Sequence, residues 1–283
     1  MLKTGIKSNA YFELYNYAEG LRKLKKHGYD CIDFQGFISP DSDLYKKNRC
    51  EFKEYFFDLK KSALKEGVEI WQAHAMWPHD DSTRESREQV IKRHKKAIIG
   101  TGLMGCKYLV VHPAMPFGWG EEPSKQDAYD ITIERFLKLL PTAKEEGVIL
   151  CIENMPFKKG HSFSSISEIK DVLNKVSDSN MKACFDSGHC NVTGDNIYDA
   201  IKTLGNDLAC LHVHDDLGRQ DRHLIPFQGE IDWNGFIKGL KEIRFDGCIS
   251  LETCIKRTTP EPMKEEMQRA VSGIAKYLAK MAN

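Results

Sequence analysis

The sequence predicts an α/β protein built as a (β/α)8 TIM barrel, on three observations. Amphipathic helix-like segments alternate with short β-branched apolar runs, a glycine marks most of the joints, and eight such runs can be counted. Alternation of this kind imposes right-handed crossovers and a parallel sheet covered on both faces. Eight repeats fit a closed barrel better than an open sheet, whose doubly wound form would show a G-x-G-x-x-G loop that this sequence lacks.

The elements follow in order. A leading strand is expected in "TGIKSNA". Then "LRKLKKHG" leads to "YDCIDF", "FFDLKKSALKEG" to "VEIWQAH", and "IKRHKKAIIGTGLMG" to "CKYLVVH". "FLKLLPTAKEEG" precedes "VILCIEN", "SISEIKDVLNKV" precedes "MKACFD", and "NIYDAIKTLG" precedes "LACLHVH". "FIKGLKEIRFDG" introduces "CISLET", and "MKEEMQRAVSGIAKYLAKMAN" is the closing helix. Glycine after a basic last turn is the expected helix stop, because a left-handed residue there carries no Cβ to clash. Each strand is expected to be followed directly by a helix. No Pro-, Gly- or Ser-rich linker interrupts the rhythm, so residues 1–283 are expected to form one domain.

Composition excludes several classes. Hydrophobic residues make up 41% and charged residues 29% of the 283, which argues against disorder. Forty-one basic side chains balance forty-one acidic ones, so no bulk positive field attracts nucleic acid. The nine cysteines lack a C-x-x-C pair and fall mostly in apolar runs, the pattern of buried reduced thiols. "MLKTGIKSNAYFEL" has neither the h-region of a signal peptide nor an Arg-rich leader, and no apolar span reaches bilayer length. A cytoplasmic protein without membrane contact is expected.

In such a barrel the carboxyl ends of different strands converge on one face. The expected third to eighth strands end in His74, His112, Glu153, Asp186 followed by His189, His212 with His214, and Glu252. Taken singly each has an ordinary use: a salt bridge for Glu153, a hydrogen bond for His74 or His112, a turn for Asp186. Six successive strand ends bearing the same chemical set point instead to a shared site. Mixed carboxylate and imidazole suits a divalent cation, Mn²⁺, Mg²⁺ or Co²⁺, with more imidazole favouring Zn²⁺. Trp77, Phe117 and Trp119 lie on loops after the third and fourth strands, where rings can close over a bound molecule or pack the rim. Asp33, ending the second strand, is open between binding a hydroxyl, supporting a ligand and forming a salt bridge.

The ordered motifs "CIEN", "FDSGH", "LHVHD", "DRHLIPFQGEIDW" and "SLET" resemble the xylose isomerase-like barrel superfamily, in particular its sugar isomerase/epimerase group with the ketose 3-epimerases. The resemblance spans nearly the whole chain. It implies one metal ion held by Glu153, Asp186, His212 and Glu252, with His212 preferred to His214 because the family pattern is H-x-x-D. It implies that Glu153 and Glu252 exchange a proton with the substrate through an enediolate. His189 becomes the substrate-binding histidine, and either Arg219 or Arg222 the substrate-binding arginine, spacing leaving both open; Trp119 would stack on the sugar or close over it. The same fold houses endonuclease IV, which cleaves abasic DNA with three zinc ions; its further ligands resemble His74, His112, Asp221 and His223. In a sugar enzyme these four would line the substrate pocket. Three classes therefore stand: a metal-dependent sugar or sugar phosphate isomerase or epimerase, a zinc phosphodiesterase whose partner is nucleic acid, and a non-catalytic scaffold. Many relatives are dimers or tetramers, and no pattern here selects an assembly.

Overall fold

The computed structural model describes residues 2–114, 124–156, 163–253, 255–256 and 258–283. Eight parallel strands form one sheet, in the order β10-β1-β2-β3-β4-β5-β6-β7. They are β1 (Lys3–Lys7), β2 (Cys31–Phe34), β3 (Glu69–His74), β4 (Tyr108–Val111), β5 (Ile149–Glu153), β6 (Met181–Asp186), β7 (Leu208–His212) and β10 (Cys248–Leu251). The ends meet just past β7: Val213 N donates to Ser250 O at 2.9 Å and Glu252 N donates to Val213 O at 3.0 Å. The chain is thus a nearly closed (β/α)8 TIM barrel.

Helices cover the outside: α1 (Asn9–Phe12), α2 (Tyr17–His27), α3 (Arg49–Glu66), α4 (Arg84–Leu103), α5 (Lys125–Glu145), α6 (Ile166–Val176), α7 (Ser187–Thr193), α8 (Ile197–Leu204), α9 (Trp233–Glu242) and α10 (Glu261–Ala282). Local chemistry sets their ends. Asn48 and Glu51 form a reciprocal capping box on α3, as do Ser165 and Glu168 on α6, satisfying first-turn amides that have no partner inside the helix. The glycine stop holds at Gly28, whose φ of 100° closes α2. No helix among the described residues is long and apolar enough to cross a membrane.

Two expectations change. The first strand ends at Lys7, and Asn9 and Ala10 already belong to α1. After β7 the chain does not pass directly to a helix: β8 (Asp215–Leu217) and β9 (Gln220–Leu224) form an antiparallel hairpin over the barrel mouth. Asp215 anchors this excursion by accepting from Trp233 Nε1 at 3.0 Å and Ile231 N at 3.2 Å. Part of the crowding in "LHVHDD" is therefore architectural.

The barrel interior is layered by the two-residue pleat. Val110, Cys151, Cys184 and Cys210 pack as one buried cluster. Two residues further along the same strands stand His112, Glu153, Asp186 and His212. Cys31 is buried in β2 and Cys248 in β10; Gly5 lets them approach, because a Cβ there would lie 2.9 Å from Cys248 Sγ. The described cysteines are free thiols, all buried except Cys50.

Candidate active site

The ionisable layer at the mouth is tightly knit. Ligand atoms of Glu153, Asp186, His212 and Glu252 all lie within 4.8 Å of one another. His212 Nδ1 is 2.8 Å from Glu153 Oε1 and 3.3 Å from Glu252 Oε2. Its other nitrogen, Nε2, faces Asp33 Oδ2 at 3.0 Å, and that oxygen also accepts from Gln35 Nε2 and Gln72 Nε2. Asp33 thus supports His212 from behind, a geometry that fixes a ring and raises its basicity.

Asp186 is held from three directions. It caps α7 by accepting from His189 N at 2.7 Å, its Oδ1 lies 2.9 Å from His214 Nε2, and its backbone exchanges two hydrogen bonds with the Asn154 side chain. Gly188 makes room for this: a Cβ there would lie 1.9 Å from His214 Cε1. His214, stacked at 4.2 Å on His223, stands behind Asp186.

Three more histidines have their tautomers set by backbone carbonyls. His74 Nδ1 is 2.7 Å from Ala75 O, His189 Nδ1 is 2.8 Å from Asn154 O, and His223 Nδ1 is 2.9 Å from Glu252 O. A carbonyl only accepts, so each Nδ1 carries the hydrogen and the neutral ring keeps its lone pair on Nε2. Those Nε2 atoms face carboxylates: His74 faces Glu153 at 3.5 Å, and His189 and His223 face Asp221 at 3.4 Å and 3.3 Å. His223 adopts a φ of 49°, a left-handed backbone uncommon for histidine, to point this way.

The electrostatics follow from excess carboxylate. Burial opposes charge on Glu252, but His212, His223 and Lys7 outweigh it and hold the carboxyl down at about 2. Glu153 is likewise held well below the usual range by His212 and His112 against its burial. His189 is pulled up to about 10 and His223 to about 9, burial being overcome for His189 mainly by Asp186 and for His223 by Asp221 and Glu252. His112 goes the other way, to about 4, because burial outweighs Glu153.

The donor set fits a divalent cation. Among the described residues Glu153 Oε2, Asp33 Oδ1 and His112 Nδ1 are buried without a hydrogen-bond partner. His112 Nε2 lies 2.9 Å from Glu153 Oε2 without the alignment of a hydrogen bond. Buried polar atoms left unpaired in this way are costly unless something else satisfies them. Two further groups have ligand atoms within the same 4.8 Å: His74, Glu153 and His212, and His189, His214, Asp221 and His223.

Above this layer opens a cavity of about 430 Å³, within the usual range for small-molecule sites. Its lining combines the ionisable residues of this layer with apolar ones, among them Ile38, Trp77, Met155 and Val192. Trp77 lies over His112 with ring centroids 4.5 Å apart. Of the two arginines, Arg219 lines the cavity, whereas Arg222 turns away and pairs through Nε with Gln220 Oε1 at 2.9 Å. The placement of Arg222 is therefore corrected: within β9, Asp221 and His223 face the cavity, and Gln220 and Arg222 fall on the opposite face of the pleat. Trp119 and Phe117 lie outside the described residues. Sequence reasoning also missed Asn154 and the buried group His79, Asp81 and Arg135 beneath Trp77.

Fold and site together define a class. Residues 21–272 match the family model described as xylose isomerase-like TIM barrel, and the chain belongs to that family. It is 25% identical over 283 aligned residues to an inosose isomerase of Bacillus velezensis, covering 94% of this chain and 95% of that one. A D-psicose 3-epimerase of Enterocloster bolteae is 23% identical over 259 residues, covering 88% and 82%. The crystal structure of a D-psicose 3-epimerase from Clostridium cellulolyticum H10, with D-tagatose, superposes with a TM-score of 0.82 at 18% identity, covering 98% of this chain and 99% of that one.

Proposed function

We propose that the chain is a divalent-metal-dependent sugar or sugar phosphate isomerase or epimerase that moves a proton through an enediolate. The observation that carries this reading is the pair Glu153 and Glu252, 2.8 Å and 3.3 Å from His212 Nδ1, both held in the ionised form and both lining a sugar-sized cavity. The family and the names of its relatives, inosose isomerase and D-psicose 3-epimerase, support the reaction class.

Glu153, Asp186, His212 and Glu252 would hold the cation, which is Mn²⁺, Mg²⁺, Co²⁺ or Zn²⁺ by its donors. When bound, it supplies Lewis acidity at the substrate oxygens. One of the two glutamates accepts the proton from the carbon beside the carbonyl, and a carboxylate must be ionised to do so. For isomerisation the same carboxyl group returns that proton to the neighbouring carbon; for epimerisation the other glutamate, first protonated from solvent, delivers its proton to the opposite face, and the first gives up its own to solvent. His189 and Arg219 hold hydroxyls or the carbonyl, while Trp77 packs the apolar face of the sugar and excludes water. His74, His112, Asp221 and His223 complete the polar wall.

Incubation in D₂O with a panel of free and phosphorylated ketoses and cyclic ketones tests the reading. The wild type should incorporate deuterium beside the carbonyl, and Glu153→Gln and Glu252→Gln should abolish it. Exchange persisting in both variants would falsify the two-carboxylate assignment.

A second reading rests on one specific observation: four histidines outside the four-residue set turn nitrogens to carboxylates, His74 and His112 to Glu153 and His189 and His223 to Asp221. That array could serve up to three zinc ions in phosphodiester hydrolysis on abasic DNA. Metal analysis separates the readings: about one ion per chain supports sugar chemistry and about three zinc ions support hydrolysis. A chain that binds no metal would support the scaffold.

A further inference from the structure

The mouth of the barrel rests on a second buried ionic group that lines no part of the cavity. Arg135 on α5 is 2% exposed, Asp81 is 0% exposed, and both belong to the outer wall behind β3 and β4. We propose that Arg135 is a positioning residue that fixes Trp77 and His112, two walls of the cavity, through Asp81 and His79. The inference rests on reading that cavity as a sugar site.

One guanidinium reaches both strand ends. Its Nη2 pairs with Asp81 Oδ1. Its Nη1 lies 3.2 Å from His79 Nε2 and 3.4 Å from the carbonyl oxygen of His112. Arginine only donates, so His79 Nε2 must be the acceptor, and Nδ1 carries the hydrogen, 2.9 Å from Asp81 Oδ2 but without the alignment of a hydrogen bond. His79 in turn meets the Trp77 ring nearly at right angles, 85°, with centroids 5.1 Å apart. Trp77 is thus held between His79 below and His112 beside it. One turn earlier on α5, Thr132 Oγ1 accepts from Ala114 N at 2.8 Å, so the helix pins the segment after β4 at two points.

Stability alone does not explain the arrangement. Burying an arginine and an aspartate removes two full charges from water, and apolar residues of similar volume commonly serve a core as well or better. A planar fork differs from an apolar filler in being directional. It ties the β3–α4 segment and the end of β4 to one rigid group, so Trp77 and His112 move together or not at all. A shift of about 1 Å in such a wall is enough to cost on the order of 10²-fold in rate.

The test uses the paired variant Arg135→Met with Asp81→Leu, which leaves no unpaired buried charge, and His79→Leu, which keeps the Arg135–Asp81 pair. Each is labelled with 5-fluorotryptophan, and the Trp77 resonance is assigned with Trp77→Phe. The expected result is a shifted or broadened Trp77 signal in both variants, with the Trp71 and Trp233 signals in place. The sugar exchange reaction should lose about tenfold to hundredfold in kcat/KM, with bound metal unchanged. An unmoved Trp77 signal in whichever variants fold overturns the proposal. If the wild type exchanges no proton with any sugar, the sugar reading fails, and the fluorine spectrum still decides whether Arg135 positions the wall.

Discussion

Two sets of histidines occupy this barrel, all buried except the partly exposed His223, and their surroundings push them in opposite directions. At the mouth, His189 and His223 are pulled up to about 10 and about 9. In the wall, burial pushes down His27 at the end of α2 and His94 in α4, and the nearby Arg135 adds to the effect on His94. Burial is thus common to both, and the number of facing carboxylates decides: His112, which faces Glu153 alone, stays low at about 4. The mouth gathers Glu153, Asp186, Asp221 and Glu252 around its imidazoles; neither nitrogen of His94 has a hydrogen-bond partner among the described residues. The first arrangement suits a cation, whereas the second is a neutral core residue.

Loosening the link between carboxylate and imidazole at the mouth should have the largest effect. Asp33→Asn keeps an oxygen acceptor for His212 Nε2 but removes the charge behind the ring. Metal affinity should fall tenfold to hundredfold, the range for such supporting partners, with the fold intact. Titration with Mn²⁺ or Zn²⁺ followed by calorimetry checks it. Unchanged affinity would mean that His212 is not a ligand.

Much of this was legible in the sequence because the barrel converts order along the chain into position at the mouth. "CIEN", "FDSGH", "LHVH" and "SLET" each end a strand, and their ionisable residues converge as eight parallel strands require. The rule beneath them went unread. In "CID", "VVH", "CIE", "CFD" and "CLH" the small buried residue and the ionisable one are two apart, so the pleat stacks one directly above the other. The hairpin was missed since strand–helix alternation dominated the reading of that stretch, although Gly218, with a φ of 60° between "DDL" and "QDRHL", was the available signal. Without the hairpin, spacing could not choose between Arg219 and Arg222. The Arg135–Asp81–His79 group left no local trace, because its members come from two distant segments and no periodic pattern links them.

The wall histidines sharpen the comparison through pH. The folded pKa of His94 lies well below the unfolded value of 6.5, so the unfolded chain takes up the proton first as the solution is acidified. The stability this site supplies is therefore whole above pH 6.5 and is lost as pH falls below it, by up to about 1.4 kcal/mol per pH unit for one proton. His94→Leu should flatten that part of the acid limb in urea unfolding measured from pH 7 to pH 5. An unchanged slope would place the proton uptake on another group, His27 being the first to examine.

The smallest effect belongs to the thiols under the site. Cys210 is two residues before His212 on the same strand, is fully buried, and has its Sγ 3.6 Å from Cys151 Sγ. Burial pushes its ionisation far up, so it contributes neither charge nor nucleophile to the layer above. Cys210→Ala removes one atom from a packed cluster and should lower stability by about 1 kcal/mol, the scale of a small buried group. Metal content and the rate of proton exchange should stay at the wild-type level, because the layer above is held by its own hydrogen bonds to Asp33, Asn154 and the backbone rather than by the sulfur beneath. A variant that kept its stability yet lost its metal would break this division, and the thiol layer would have to be counted as part of the site.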